Sequence, residues 1–416
     1  MLFLKDRSKL LSALVGSLLI LSGFNAVAEE GLALIADDEK AEGVSPEGEK
    51  GVVKDLTGFS INDTDFMKKI GVEAGGWLEF GVAGNFNNPF DSGNGPVTFN
   101  DRANEFNVQE VYGYLERAVN DQGDSWDFGF RADVVYGTDA RFTTASNFDD
   151  NLVGDSASRF YKLAFPQAYV DVFAPVGNGL TTKIGHFYTI IGYEVVPGKD
   201  NFFFSHAYTM QYGEPFTHTG ILSSYTINDN ISVTGGVVTG WDSWFQAPGN
   251  FLGGVNLSSD DGNTGLAVSL ISGAAELHKG DNNRTMYSIV FNHDFDNGLH
   301  YVFQHDYGTQ DKATDAGTTA RWYGVNQYVF YDVSDDLGAG LRFEWFRDEQ
   351  GVRVGKGSNS YFEITAGVNW NPLEWLMLRP EVRYDWSTHN NAYPDDPYNT
   401  YRSNQFLLSA DAIITF

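Results

Sequence analysis

The 416-residue chain carries 55 Asp and Glu against 27 Lys and Arg, a formal net charge of −28, and contains no cysteine. A phosphate backbone needs a basic partner surface, so nucleic-acid binding is disfavoured, and the lack of cysteine excludes a disulfide scaffold and thiolate metal sites. With 46 glycines, 15% aromatics and 20% charged residues, the chain is too polar to span a membrane with helices. A transmembrane barrel tolerates this composition, because only alternate residues face lipid.

The N-terminus reads as an export signal. Lys5, Arg7 and Lys9 precede the apolar run Leu10–Phe24, and Ala26-Val27-Ala28 forms a small-x-small cleavage site before Glu29. The run is short for a spanning helix, which needs about 20 residues, so residues 1–28 are expected to be a removed signal peptide. Residues 29–68 are acidic and irregular and read as a periplasmic leader with a short helix near Asp63–Lys69, simple disorder being the alternative. Residues 69–416 form the remaining unit.

From Ile70 the pattern acquires the period of two that marks strands. Ile70, Val72, Ala74, Gly76, Leu78, Phe80 and Val82 share one face, and Glu73, Trp77 and Glu79 the other. A second strand over Phe106–Val119 places Glu110, Tyr112, Tyr114 and Glu116 together. Along Ser125–Gly137, Trp126, Phe128, Phe130, Ala132, Val134 and Tyr136 alternate with Asp127, Gly129, Arg131 and Asp133. Aromatics at both ends of that apolar face suit a lipid-facing strip with an interfacial girdle at each rim.

Further strands are expected at Phe165–Ala174, Leu180–Ile190, His218–Ile227, Ile231–Trp241, Asn250–Ser259, Leu266–Gly273, Thr285–Phe295, Leu299–Tyr307, Arg321–Val333, Leu337–Arg347, Tyr361–Trp370 and Trp375–Trp386. Gln327 interrupts the outward pattern of its strand and suggests a subunit contact. The chain closes on Phe406–Phe416, where Phe406, Leu408, Ala410, Ala412, Ile414 and Phe416 alternate with polar positions. A terminal aromatic on such a strand resembles the assembly signal of bacterial outer-membrane barrels, with Phe416, Ile414 and Phe406 as its residues and the barrel assembly machinery as its reader.

Short connections (Pro175–Gly179, Asn228–Asn230, Asp296–Gly298, Ser334–Asp336, Asn371–Glu374) alternate with long ones (about 85–105, 138–164, 191–215, 308–320, 348–360 and 387–403). Tight periplasmic turns and long extracellular loops give that alternation. With both termini periplasmic the strand count is even. Counting two strands in 242–284 brings it to sixteen, with fourteen and eighteen as the alternatives. The expected fold is an all-β transmembrane antiparallel barrel.

An ordered series of short motifs runs through the middle of the chain. It comprises Gly137-Thr138-Asp139-Ala140, Phe165-Pro166-Gln167-Ala168-Tyr169-Val170, Gly185-His186-Phe187-Tyr188-Thr189-Ile190-Ile191-Gly192-Tyr193-Glu194, Asn201 with Ser205-His206, Pro215 with Thr217-His218-Thr219-Gly220, and Thr239-Gly240-Trp241-Asp242. The series resembles the OmpL-like putative β-barrel porin family, the second of that title, over about residues 70–416. The resemblance implies an outer-membrane channel for small solutes and supplies no catalytic residues.

A sixteen-stranded barrel has a water-filled lumen that a loop folded inward can narrow. Residues 191–215 are the candidate constriction loop, with Glu194 and Asp200 as its acidic side, and 138–164 is the runner-up. Arg342, Arg379 and Arg383, at inward positions of late strands, are the candidate basic wall, and opposed charges would set a transverse field. Inward acids outnumber inward bases, which favours cations modestly; cross-strand pairing of those acids is the competing view. Inward rings at Trp77, Tyr112, Tyr114 and Tyr169 raise a carbohydrate-type channel as an alternative, and an adhesin or structural barrel is another.

Enzyme readings do poorly. The eight histidines are scattered, His300 and His305 point to opposite faces of one strand, and no phosphate loop or zinc helix is present. No metal site and no cofactor are implied. The expected partners are outer-membrane lipid and lipopolysaccharide, small hydrophilic solutes and two further copies of the chain in a homotrimer.

Overall fold

The computed structural model describes residues 51–153, 160–247, 249–275, 282–395 and 400–416. The expected signal peptide and the first part of the acidic leader lie outside these residues. Two short helices precede the barrel, α1 (Val52–Thr57) and α2 (Asp65–Ile70). Ile70 therefore ends a helix and does not begin a strand. Gly71 terminates α2 in the left-handed region at φ 63° and accepts no side-chain penalty there, and the first strand starts at Glu73.

The strands are β1 (Glu73–Asn85), β2 (Phe106–Arg117), β3 (Asp127–Gly137), β4 (Lys162–Ala164), β5 (Ala168–Ala174), β6 (Leu180–Tyr188), β7 (Thr217–Asn228) and β8 (Ile231–Val238). They continue as β9 (Asn250–Ser258), β10 (Thr264–Ala274), β11 (Asn283–Phe295), β12 (Leu299–Gln310), β13 (Ala320–Ser334), β14 (Leu337–Asp348), β15 (Asn359–Leu373) and β16 (Leu376–Ser387). A hairpin of β17 (Tyr393–Asp395) and β18 (Thr400–Arg402) lies in the last long loop, and β19 (Asn404–Thr415) ends the chain.

Each barrel strand pairs antiparallel with its neighbours in sequence, and β19 closes on β1 with Trp77 opposite Thr415 and Asn85 opposite Leu407. β4 and β5 both pair with β3, at Val135–Gly137 and Asp127–Ala132 respectively. They are two pieces of one barrel strand broken at Phe165-Pro166-Gln167, where the proline has no N–H for the ladder. The barrel thus has sixteen strands, one of them in two segments, as the parity of turns requires.

Large apolar side chains face outward around the barrel, including Phe128, Val134, Ile184, Ile221, Leu341, Ile364 and Leu408. At the long-loop end, rings join into a belt. Tyr287 stacks on Tyr307 and Tyr307 on Tyr323, Tyr323 meets Trp345 edge-on, and Phe362 stacks on Trp386 at 5.3 Å. Such rings have an apolar body and a polar tip, which suits the lipid–water boundary.

At the short-turn end, Trp375 donates to Asp55 and Asn62 exchanges two hydrogen bonds with the backbone of Ala74. These bonds tie the segment before β1 to the rim of the barrel.

Candidate functional site

The connection between β6 and β7 enters the lumen. Glu194, Asp200, Phe202, Phe203, Phe204, His206 and Tyr208 are all buried inside the barrel. A strand-free segment in this position cannot satisfy its backbone with a ladder, so side chains must supply the partners.

Three arginines do so. Arg342 on β14 gives Nη1 to Ser205 O at 2.6 Å and to Glu194 Oε1 at 2.6 Å, while its Nε holds Glu363 on β15 at 2.6 Å. Arg379 on β16 gives Nη1 to the carbonyls of Gly198 and Asn201, both at 2.6 Å, and pairs with Glu79 and Asp411 on the wall. Arg383 reaches His206 O at 2.6 Å and pairs with Asp385 at 2.8 Å. The planar five-donor fork of arginine suits this double duty of carboxylate and carbonyl. Loop amides are caught in turn by wall carboxylates. Tyr208 N and Thr209 N donate to Glu344, and Ser205 N donates to Glu381.

The phenylalanine run fits gaps left by inward glycines. A Cβ at Gly340 would lie 2.4 Å from Phe202 Cε1, one at Gly81 2.4 Å from Phe204 Cζ, and one at Gly367 3.3 Å from Phe203 Cδ1. Phe202 and Phe204 can sit against the wall only because Gly340 and Gly81 carry no side chain, while the contact of Phe203 with Gly367 is looser.

The arrangement corrects two expectations. Arg342, Arg379 and Arg383 are inward, yet each is fully buried under the loop, so they do not form a basic wall facing acids across water. Glu194 pairs directly with Arg342, and Asp200 lies 2.8 Å from Lys199. Trp77 and Tyr112 stack at 3.9 Å beneath the loop and are each 1% exposed, so neither offers a face to a solute. The cause is the same in both cases: the loop covers this side of the lumen.

Loop groups carry the electrostatic signature of that cover. Burial would raise the Glu194 carboxyl, but the Arg342 guanidinium and His206 hold it down at about 2. Burial lowers the His206 imidazole despite the adjacent Glu194, and burial next to Asp306 pushes Glu214 well above the usual carboxylate range.

The opposite side of the loop faces a cavity of about 250 Å³. Its wall comes from Tyr169 and Asp171 on β5, Thr181, Lys183 and Tyr188 on β6, and Ser224 on β7; Glu194 and Glu214 face it from the loop. Lys183 Nζ stands 3.9 Å from the centre of the Tyr169 ring. Tyr114 is partly exposed under Arg131, 5.0 Å from its ring centre. Neither Asp171 nor Tyr188 is among the pore residues expected from the sequence, Tyr188 appearing only within a motif. Asp171 was legible as an inward position between the outward Val170 and Val172. Tyr188 is the last residue of β6, where the strand gives way to the inserted loop and periodicity no longer assigns a face.

The runner-up loop contributes α3 (Ala140–Thr143), with Asp139, Ala140 and Thr143 buried near the long-loop end. The loop after β1 also reaches inward: Phe99 lies 4.2 Å from the His206 ring, and Thr98 N donates to Gln211.

Solved outer-membrane porins share this fold. An anion-selective porin from Comamonas acidovorans is 11% identical with a TM-score of 0.56, covering 83% of this chain and 99% of that one. OprB of Pseudomonas putida is 12% identical at a TM-score of 0.54, covering 84% and 96%. OmpT of Vibrio cholerae, in its trimer form, is 10% identical at 0.52, covering 83% and 99%. No curated protein matches the chain in sequence. The family described as putative beta-barrel porin-2, OmpL-like, matches residues 71–416, and the chain belongs to this family of outer-membrane porins.

Proposed function

We propose that the chain is a passive diffusion channel for small hydrophilic solutes with a weak cation preference. The observation that carries this reading is the cavity beside the inserted loop, walled by β5–β7. The loop fills the side under the three arginines and leaves solutes the other side. Residues 189–216 act in this reading as the constriction, with Glu194 and Asp200 on the loop. Arg342, Arg379 and Arg383 are its fastenings. Asp171 and Glu194 in the lining outnumber Lys183, which leans toward cations. The anion selectivity of the Comamonas porin belongs to a relative at 11% identity, a distance at which the fold is shared and the lining is not.

No catalytic step is assigned to the chain. It works as a homotrimer by analogy with the trimeric Vibrio protein, and Gln327, exposed on the outer face and bonded to Tyr301, is a candidate contact. Export by residues 1–28, an acidic leader after them, recognition of Phe416, Ile414 and Phe406 by the assembly machinery, and contact with lipopolysaccharide complete the reading.

A carbohydrate-type channel is the second reading, favoured by the rings of Tyr169 and Tyr188 in the cavity wall. Purified protein in a planar bilayer separates the readings. Stepwise conductance with a cation-signed reversal potential is expected, and no steps would overturn the channel. Block by an added oligosaccharide would move the assignment to the second reading.

A further inference from the structure

Beneath the inserted loop, three carboxylates from three separate segments converge. Glu79 on β1, Glu110 on β2 and Asp139 in the loop after β3 are all buried, and each offers an oxygen within 4.8 Å of the others. Like charges this close and this dry repel strongly unless something neutralises them.

The protein's own donors do not suffice. Trp77 Nε1 donates to Glu110 Oε2 at 2.6 Å, and Gly198 N donates to the same oxygen at 3.2 Å. Thr138 Oγ1 donates to Asp139 Oδ1 at 3.0 Å. Arg379 stands 3.2 Å from Glu79 Oε1, but its Nε and Nη2 also hold Asp411. Among the described residues, Glu79 Oε2 and Glu110 Oε1 accept no hydrogen bond although both are buried. Two bare carboxylate oxygens within a triad of acids are an incomplete arrangement.

We propose that Glu79, Glu110 and Asp139 bind a divalent cation, calcium in preference to transition metals, which fastens the inserted loop and the loop carrying α3 to the β1–β2 wall. An all-oxygen, carboxylate-rich set selects hard cations, and ligands drawn from strands and an irregular loop suit the adaptable coordination of calcium. The loop comes close at this point. A Cβ at Gly198 would lie 1.9 Å from Glu79 Oε2, so only glycine lets the loop backbone cover the triad. With Arg379 also holding the carbonyls of Gly198 and Asn201, the ion and the arginine would share one stretch of loop. The site stands on geometry independent of solute passage, so binding can fail or succeed whether or not the channel conducts.

The test uses full-length mature protein refolded in detergent free of lipopolysaccharide and stripped with chelator. Terbium is the probe, because the Trp77 indole touches a proposed ligand and would sensitise its luminescence. Wild type should show one saturable site that calcium displaces. The Glu79→Gln/Glu110→Gln double variant keeps the side-chain shape and removes the charges. It should still fold, by its heat-modifiable mobility on a gel, and lose affinity by about 100-fold or more, since even partners outside a coordination shell are worth about 10- to 100-fold. Calcium should raise the thermal midpoint of wild type and not of the variant. Wild type without saturable binding, or a folded variant that binds as well as wild type, overturns the proposal and leaves the triad neutralised by protons.

Discussion

Arg342 Nη1 on the barrel wall lies 2.6 Å from Glu194 Oε1 on the inserted loop, and both side chains are buried. The pair joins β14 to a segment that has no strand partner. Because the same guanidinium also holds Glu363 and the Ser205 carbonyl, it works as a hub, and its loss would strand two carboxylates and a carbonyl together.

Arg342→Met should therefore release the loop more than any single apolar truncation in it. Breaking a buried pair by removing one partner costs about 3–5 kcal/mol. The variant should show larger, noisier single-channel steps and a lower thermal midpoint. Adding Glu194→Gln should restore part of the midpoint by removing one stranded charge. Unchanged steps in Arg342→Met would show that the loop is held without this hub.

The glycine gaps allow a test without touching charge. Gly340→Val and Gly81→Val place a side chain where Phe202 and Phe204 lie, 2.4 Å from the nearest ring atom in each case. Valine suits a strand, so the wall should form while the loop loses its seat. Overpacking of this kind costs about 1–3 kcal/mol. Limited proteolysis should cut within 189–216 in these variants faster than in wild type. Equal protection would mean that the rings can shift aside.

The barrel was legible in the sequence because lipid outside and water inside impose a period of two on nearly every strand. Even the closure of β19 on β1 followed from counting turns. The lumen was less legible. Arg342, Arg379 and Arg383 were found as inward residues, but periodicity reports only which face a residue takes. Whether that face meets water or a loop depends on the path of 189–216, which has no period. The three phenylalanines and their three glycines are far apart in sequence and carry no local sign of complementarity. Glu79, Glu110 and Asp139 were hidden likewise, since their distance depends on strand register and on the turn after Gly137.

Acid should loosen the loop in two stages. His206 is lowered by burial from its ordinary value of ~6.5, so its contribution is full above ~6.5 and declines as pH falls further. Glu194, held at about 2, contributes fully above the free value of ~4.3 and loses this as pH falls through the folded value. Thermal midpoints measured across pH should show His206→Gln flattening the first decline and Glu194→Gln the second. Glu214, pushed upward, acts in the opposite direction in all three proteins and cancels in the comparison. Variants whose midpoint-against-pH profiles run parallel to that of wild type from pH 7 to pH 3 would refute the assignment.

Ion preference should follow the cavity wall more than the buried arginines. Asp171 on β5 lies opposite Lys183 on β6 in register, and both line the cavity. Lys183→Glu should increase the cation-signed reversal potential, and Asp171→Lys should reverse it. Arg383→Gln, beneath the loop, should shift it less than either. A larger shift from Arg383 would place the solute path on the other side of the loop.

Phe416 tests the last step of barrel closure. Its N–H donates to Gly76 O on β1 at 2.9 Å, and Thr415 N donates to Trp375 O in the turn before β16 at 3.0 Å, so the final two residues bond on both sides of β19. The ring remains 44% exposed on the outer face and lies over Gly76, where a Cβ would come within 2.8 Å of Phe416 Cζ. The proposed role in assembly and a packing role on Gly76 make different predictions. Phe416→Asp should lower the yield of heat-modifiable barrel in the membrane several-fold, while protein refolded in detergent keeps a thermal midpoint close to that of wild type. A matching loss in both assays would make Phe416 a structural residue, and wild-type yield in the membrane would remove its role as a signal.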